Sequence, residues 1–340
     1  MIEYSRRAEA VRKVGVFFVI VLLALGALGG GVAWWVHQPL KQGADILDLT
    51  IEPGSSPSVV ALAVADAGVK VDPLLLYWWF RMSGQSRNIK AGSYEIEPGQ
   101  TPRTLLSKLV RGAEALRSIT LIEGLTFTQI REVLAKDEQL KQETRGLNAE
   151  AIMQKLGKPG VNPEGRFFPD TYTFAKGVSD LAVLKLALRA MDKNLEAAWS
   201  TRLPDTPLKS PEQALILASI VEKETGQGSD RAEIAGVFTN RLRIGMLLQT
   251  DPTVIYGMGE KFDGNLRKRD LQTDTPWNTY TRPGLPPTPI AMPGRAALIA
   301  AVQPAQTKAL YFVARGDGTS QFSATLEEHN RAVNKFQRGK

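Results

Sequence analysis

Two glutamates in the middle of the chain are the residues best placed to do acid–base chemistry. Ser210-Pro211-Glu212-Gln213 reads as a helix start: Ser210 can cap, Pro211 suits the first helical position, and Gln213 can complete a capping box. Ala214 to Val221 then holds one polar residue, Ser219, which predicts a helix buried on all sides. The helix runs out in Glu222-Lys223-Glu224-Thr225, with Gly226 as the expected stop. Positions two apart diverge by about 200° around a helix, so the two carboxylates face different ways. Glu224 stacks over Leu217, Ile220 and Val221, an aliphatic stripe, whereas Glu222 stacks over Ala218 and Ser219. Apolar surroundings and the negative end of the helix dipole both favour a protonated Glu224. A carboxylic acid held protonated near neutral pH is what a general acid requires. The competing reading is a pair of solvated glutamates at a fraying helix end.

The rest of the composition narrows the choice. The chain has no cysteine, so disulfides, Cys-ligated zinc, iron–sulfur clusters and thiol catalysis are excluded together. Its two histidines, His37 and His329, are too few for an all-histidine metal cage, and no HExxH motif is present. No cofactor and no metal are therefore expected. The net charge of +7 comes from basic residues interleaved with acids, as in Arg267-Lys268-Arg269-Asp270, which argues against nucleic acid as a partner. At 43% hydrophobic and 23% charged residues, the chain is neither disordered nor fibrous.

Downstream of the glutamates, Asp230 to Glu233 offers a capping box for a helix running to about Arg243. Gly245 to Gly257 reads as strand, turn and helix. Pro276-Trp277-Asn278-Thr279-Tyr280 and Gly284-Leu285-Pro286-Pro287-Thr288-Pro289-Ile290 follow. These loops carry amide, hydroxyl and aromatic groups, suited to sugar rings with an apolar face and a hydroxyl rim, and the prolines would stiffen a lid. Gln249, Asp251, Asn278 and Tyr280 are the expected hydrogen-bonding partners of such a ligand. For Asp251 and Asn278 the alternative is a purely structural turn role. Trp277 either stacks on a sugar or fills the core.

Other elements must carry this region. From Val14 to Val36 the chain is free of charge, long enough at about 1.5 Å per residue to cross a bilayer core of about 30 Å, and it closes on Trp34-Trp35. Arg6, Arg7, Arg12 and Lys13 precede it, which places residues 1–13 in the cytoplasm, 14–36 in the membrane as an uncleaved anchor, and residues from about 38 onward outside. A cleaved signal peptide would have a shorter apolar core and a small-residue cleavage site. Residues 37–117 read as strand, helix, helix, strand and a further helix capped by Thr101 with Pro102 first, and IEPG occurs at the end of both strands. Residues 118–340 form a larger α+β domain. A polar, helix-rich stretch runs to about Lys158, and Pro163 to Tyr172 is a loop dense in aromatics that is either a cleft wall or a buried plug.

Three passages go beyond generic patterning. ASIVEKET, VFTNRLRIGMLLQTDPTVIYGMG, and NTY with GLPPTPIAMPG together resemble the YceG-like family of endolytic murein transglycosylases, and EGRFFPDTY is similar to that family's loop ahead of the catalytic region. The layout of 37–117 resembles a LysM-like subdomain. The resemblance implies a single-pass protein of the inner membrane whose extracytoplasmic domain acts on peptidoglycan glycan strands. It implies cleavage of the β-1,4 bond between N-acetylmuramic acid and N-acetylglucosamine within nascent strands. The products would be 1,6-anhydro ends, the enzyme a terminase of elongation, and peptidoglycan synthases its candidate partners. The family's catalytic glutamate falls on Glu224. Two other readings stay open: a hydrolytic muramidase with Asp251 or Glu164 as second carboxylate, and a non-catalytic glycan-binding scaffold.

Overall fold

The computed structural model describes residues 2–43, 45–225 and 228–339, and for residues 2–15 the backbone alone. The chain is α+β and divides into two compact units at Leu116/Arg117. The first begins with α1 (Ile2–Trp35) and continues through β1 (Leu47–Ile51), α2 (Pro57–Asp66), α3 (Pro73–Met82), β2 (Gly92–Ile96) and α4 (Pro102–Arg111). Within α1, Val16–Trp35 is the one described stretch long and apolar enough to cross a membrane, at a mean hydropathy of 2.5. β1 and β2, the two strands that end in IEPG, pair antiparallel with Leu47 opposite Ile96 and Ile51 opposite Gly92. Helices α2, α3 and α4 each start on a side-chain cap followed by proline: Ser56-Pro57, Asp72-Pro73 and Thr101-Pro102. The segment after α1 is pinned, with the Leu40 N–H donating to the Gln100 carbonyl and Lys41 bridging Lys70.

β3 (Leu116–Thr120) starts at the last residue of the first unit; the second continues through α5 (Phe127–Ala135), α6 (Ala149–Lys155) and β4 (Thr171–Ala175), with β3 and β4 paired. Then come α7 (Asp180–Ser200), α8 (Pro211–Glu224), α9 (Arg231–Arg243), α10 (Asp251–Met258), α11 (Lys268–Gln272), α12 (Arg295–Val302), the hairpin β5 (Tyr311–Ala314) and β6 (Ser320–Ser323), and α13 (Leu326–Gln337). The polar stretch before Lys158 is less helical than expected. Residues 136–148 are irregular, held by Gln142 and by the buried Asp180 carboxylate, which accepts from the Glu143 and Thr144 N–H groups.

Two apolar cores fill this unit. One surrounds α8; the other lies among β3, α5, β4 and α7. The aromatic loop joins them, since Phe168 belongs to the first and Phe167 and Tyr172 to the second. It is a buried plug rather than a cleft wall. Its Gly165, at φ +78°, lets the backbone meet Pro289, where a Cβ would approach the proline ring to 2.5 Å.

Candidate active site

α8 is the central helix, packed by α7, α9, α10 and α12. Every residue from Ala214 to Val221 is buried, as the all-apolar run requires. The Ser210 hydroxyl caps the Gln213 N–H, but the Gln213 side chain reaches past the cap to the Lys209 N–H, so no capping box closes. The one buried hydroxyl, Ser219, donates to Ile216 and accepts from the Ile290 N–H. Glu224 is the last helical residue, and the expected stop at Gly226 lies outside the described residues.

The half-buried Glu224 carboxyl accepts a hydrogen bond from the Thr250 hydroxyl. Thr250 is itself buried and locked: its N–H donates to the Thr279 hydroxyl, its carbonyl accepts from Thr253, and Thr253 and Thr279 bond to each other. Burial is the main force that pushes the Glu224 pKa above the ordinary carboxylate value, and the nearby Asp251 charge adds to it. The Thr250 hydrogen bond and the Arg241 guanidinium act the other way without prevailing. Arg241 comes from α9 and is fixed by backbone carbonyls, its Nε to Leu310 at 2.7 Å and Nη1 to Leu248 at 2.7 Å, with its guanidinium carbon 5.3 Å from the Tyr311 ring centre. The same face of α9 holds the approach to β5. Asn240 donates to the Thr307 and Ala309 carbonyls, and Gly236 leaves room for the Ala305 carbonyl, which a Cβ would meet at 2.8 Å.

Glu224 and Arg241 open onto a cavity of about 770 Å³. Glu224, Arg241, Gln249, Asp251 and Tyr280 line one part. The β5–β6 hairpin and one face of α13, including His329, Asn330 and Val333, line the other. The Tyr280 hydroxyl donates to Asp251 at 2.5 Å. Gln249 has φ +48°, the sole positive φ of a non-glycine among the described residues, and its N–H is held by the Thr279 carbonyl at 3.1 Å. Left-handed backbone at a cavity wall is costly and marks functional sites more often than bystander loops. The strand expected at 245–250 is absent: this backbone bonds to the 279 turn instead of to a strand.

The structure thus brings Glu224, Gln249, Asp251 and Tyr280 together and leaves Asn278 out. Asn278 is fully buried, its amide donating to the Leu271 and Thr273 carbonyls and its oxygen accepting from the Tyr280 N–H, so it shapes the turn that presents Tyr280. Glu222 leaves α8 on another side, where it accepts from the Gly294 N–H at 2.9 Å and lies 3.9 Å from Arg231. Glu164, at the start of the aromatic loop, is also outside the cavity and 4% exposed. Trp277 packs against the α8 core and donates to Thr288. The proline-rich segment is no lid over Glu224. Its prolines lie away from this cavity, and its end packs into the core at Ile290. Asp230 forms no capping box, because its backbone continues the preceding turn and its carboxylate accepts from the Ser320 N–H.

Sequence reasoning missed Arg241, Thr250, Tyr311 and His329. His329 stacks on Tyr311 at 5.2 Å, and its buried Nδ1 has no hydrogen-bond partner. Burial, then Arg241, holds its pKa below the usual value, so the ring is neutral near pH 7. Its rarity was the only available signal, since nothing local in the sequence ties it to Glu224.

A family model described as the YceG-like family matches residues 49–335. The chain belongs to the YceG-like family. Among curated relatives, the endolytic murein transglycosylase of Bacillus subtilis (strain 168) is 32% identical over 313 residues, covering 87% of this chain and 86% of that protein. That of Streptococcus pneumoniae serotype 2 (strain D39) is 27% identical over 365 residues, covering 94% of this chain; the match spans 65% of the pneumococcal protein's length. A crystal structure of a putative YceG-like protein from Listeria monocytogenes superposes with a TM-score of 0.54 at 30% identity, over 85% of this chain and 99% of that one. Within this YceG-like chain, the matched residues include every group named above at the cavity.

Proposed function

We propose that this protein is a membrane-anchored endolytic peptidoglycan transglycosylase with Glu224 as its catalytic acid and base. Protonated Glu224 gives its proton to the glycosidic oxygen as the bond from that oxygen to C1 of N-acetylmuramic acid breaks. The carboxylate left behind takes the proton of the C6 hydroxyl of the same sugar as O6 bonds to C1. The products are a free N-acetylglucosamine hydroxyl and a 1,6-anhydro end, with Glu224 protonated again. One residue serves both steps because the second reverses the proton demand of the first. The observation that carries this reading is a single carboxyl group, raised in pKa by burial, opening onto a cavity large enough for sugar rings.

Gln249, Asp251 and Tyr280 supply hydrogen bonds to sugar and N-acetyl groups, and α13 forms the facing wall. The names of the curated relatives support the substrate class. α1 serves as a single-pass anchor with residues 1–13 cytoplasmic and the cavity on the outer side, where glycan strands are built and where synthases would be its partners. Trimming nascent strands there makes it a terminase of elongation. The strand–helix–helix–strand unit is read as a LysM-like module.

The presence of Asp251 in the same cavity favours one alternative, a hydrolytic muramidase, since hydrolases with water as nucleophile employ two carboxylates. Mass spectrometry of glycan strands digested by the full-length protein decides between them. Anhydro ends are expected; reducing ends in their place would make the enzyme a hydrolase.

A further inference from the structure

α3 is amphipathic in an unusual sense, with two apolar faces. Leu76 and Phe80 point inward and are fully buried. Leu74, Trp78 and Met82, spaced to form one stripe on another side, are 62%, 51% and 73% exposed, and Leu75 beside them is 40% exposed. Four large apolar residues on the outside of a ten-residue helix form the kind of patch that marks an interaction site.

The surroundings of the stripe say what covers it. Leu75 lines the same cleft as Trp34, Trp35, Lys41 and Lys70, at the end of α1. That end is stitched to the start of α4: the Arg103 N–H donates to the Val36 carbonyl at 3.3 Å, and the Arg103 guanidinium bonds the His37 ring at 2.8 Å. The Trp79 indole N–H donates to the Pro102 carbonyl at 3.2 Å, which ties the middle of α3 to the same point. Val16–Trp35 spans about 30 Å as a helix, the thickness of a bilayer's hydrocarbon layer. With α1 across the membrane, Trp34 and Trp35 lie at the headgroup boundary and α3 is held beside them. An indole such as Trp78 suits that boundary, and the exposed Lys41, Lys70 and Arg81 suit anionic headgroups.

We infer that the Leu74–Trp78–Met82 stripe of α3 seats in the outer leaflet's interfacial layer, a second membrane contact next to the anchor. A lone helix leaves the unit behind it free to swivel; a second contact fixes which way that unit faces. The inference rests on reading α1 as an anchor and is independent of the chemistry at Glu224.

The chain is cysteine-free, so single introduced cysteines can carry a fluorophore without side reactions. The full-length protein would be reconstituted in phosphatidylethanolamine–phosphatidylglycerol vesicles containing a nitroxide-bearing lipid. Leu28→Cys probes α1, Leu74→Cys and Trp78→Cys probe the stripe, and Arg111→Cys probes the far end of α4, about 14 Å along that helix from the α1 junction. Quenching by the lipid is expected at Leu28→Cys and at both stripe positions, several-fold stronger than at Arg111→Cys. Quenching at Leu28→Cys with none at the stripe overturns the inference while leaving the anchor intact. No quenching at Leu28→Cys removes the anchor reading and the inference with it, yet leaves glycan cleavage by the same preparation unaffected. Stripe probes shielded from aqueous iodide but untouched by the lipid quencher mean that protein covers α3, and the inference is wrong.

Discussion

Glu164 and Glu224 are both carboxylates that burial pushes above the usual pKa, and only one of them faces a space where chemistry can happen. Glu164 is buried at the start of the aromatic loop, accepting from the Phe127 N–H and from the Tyr256 hydroxyl at 3.1 Å, and its pKa is pushed up to about 7. Glu224 is half-buried on the rim of a cavity and has one donor, Thr250. Desolvation alone therefore does not make an acid catalyst. The proton must also have somewhere to go.

The comparison breaks most plainly at Glu224 itself. Glu224→Gln is expected to lower the rate of glycan cleavage on the order of 10³-fold or more, a barrier increase of about 4 kcal/mol, with an unchanged circular dichroism spectrum. Glu164→Gln and Glu222→Gln are expected to keep most of the activity. Cleavage that survives in folded Glu224→Gln would hand the role to another group.

Glu164 should instead govern stability. Its folded pKa of about 7 lies above the unfolded value of 4.5, so the folded state holds more protons than the unfolded chain between those values. Stability is thus greatest below about pH 4.5 in this respect and falls as pH rises through 7, by about 3 kcal/mol at most. Denaturant titrations of the wild type and Glu164→Gln at pH 5 and pH 8 should show a larger loss in the wild type, the difference being the part due to Glu164.

Asn278 provides a contrast from the turn. Asn278→Ala removes the buried amide that holds the Leu271 and Thr273 carbonyls and the Tyr280 N–H, and should cost about 2 kcal/mol of stability, seen as a lower Tm. Its kcat/KM, measured well below that Tm, should change far less than its stability. The smallest effect is expected at Thr250. Its hydroxyl favours the charged form of Glu224, so Thr250→Val should move the alkaline limb of the kcat/KM profile to higher pH. A shift to lower pH would mean that Thr250 acts otherwise.

Local signals were legible in the sequence wherever the chain satisfies itself locally. Thr101 and Ser210 cap their helices as their positions imply, and the apolar run of α8 is buried throughout. The separation of Glu222 from Glu224 also followed from helical spacing. What could not be read depends on partners far along the chain. Asp230 has the right neighbours for a capping box, but its carboxylate accepts from the Ser320 N–H. Gly245 to Thr250 looks like a strand, yet strands need a pairing edge, and its donors find the 279 turn instead. Asn278 carries the amide expected of a sugar ligand, but four backbone groups use it up. His329 joins Glu224 only through the β5–β6 hairpin and α13, a connection that no spacing rule encodes.

Gln249 holds a conformation that glycine would adopt freely and that costs other residues about 1 kcal/mol or more. A chain selected for thermal endurance alone would place glycine there. A side-chain amide at that point costs robustness, so variants screened only for heat resistance should drift toward Gln249→Gly and strip the amide from the cavity wall as they do.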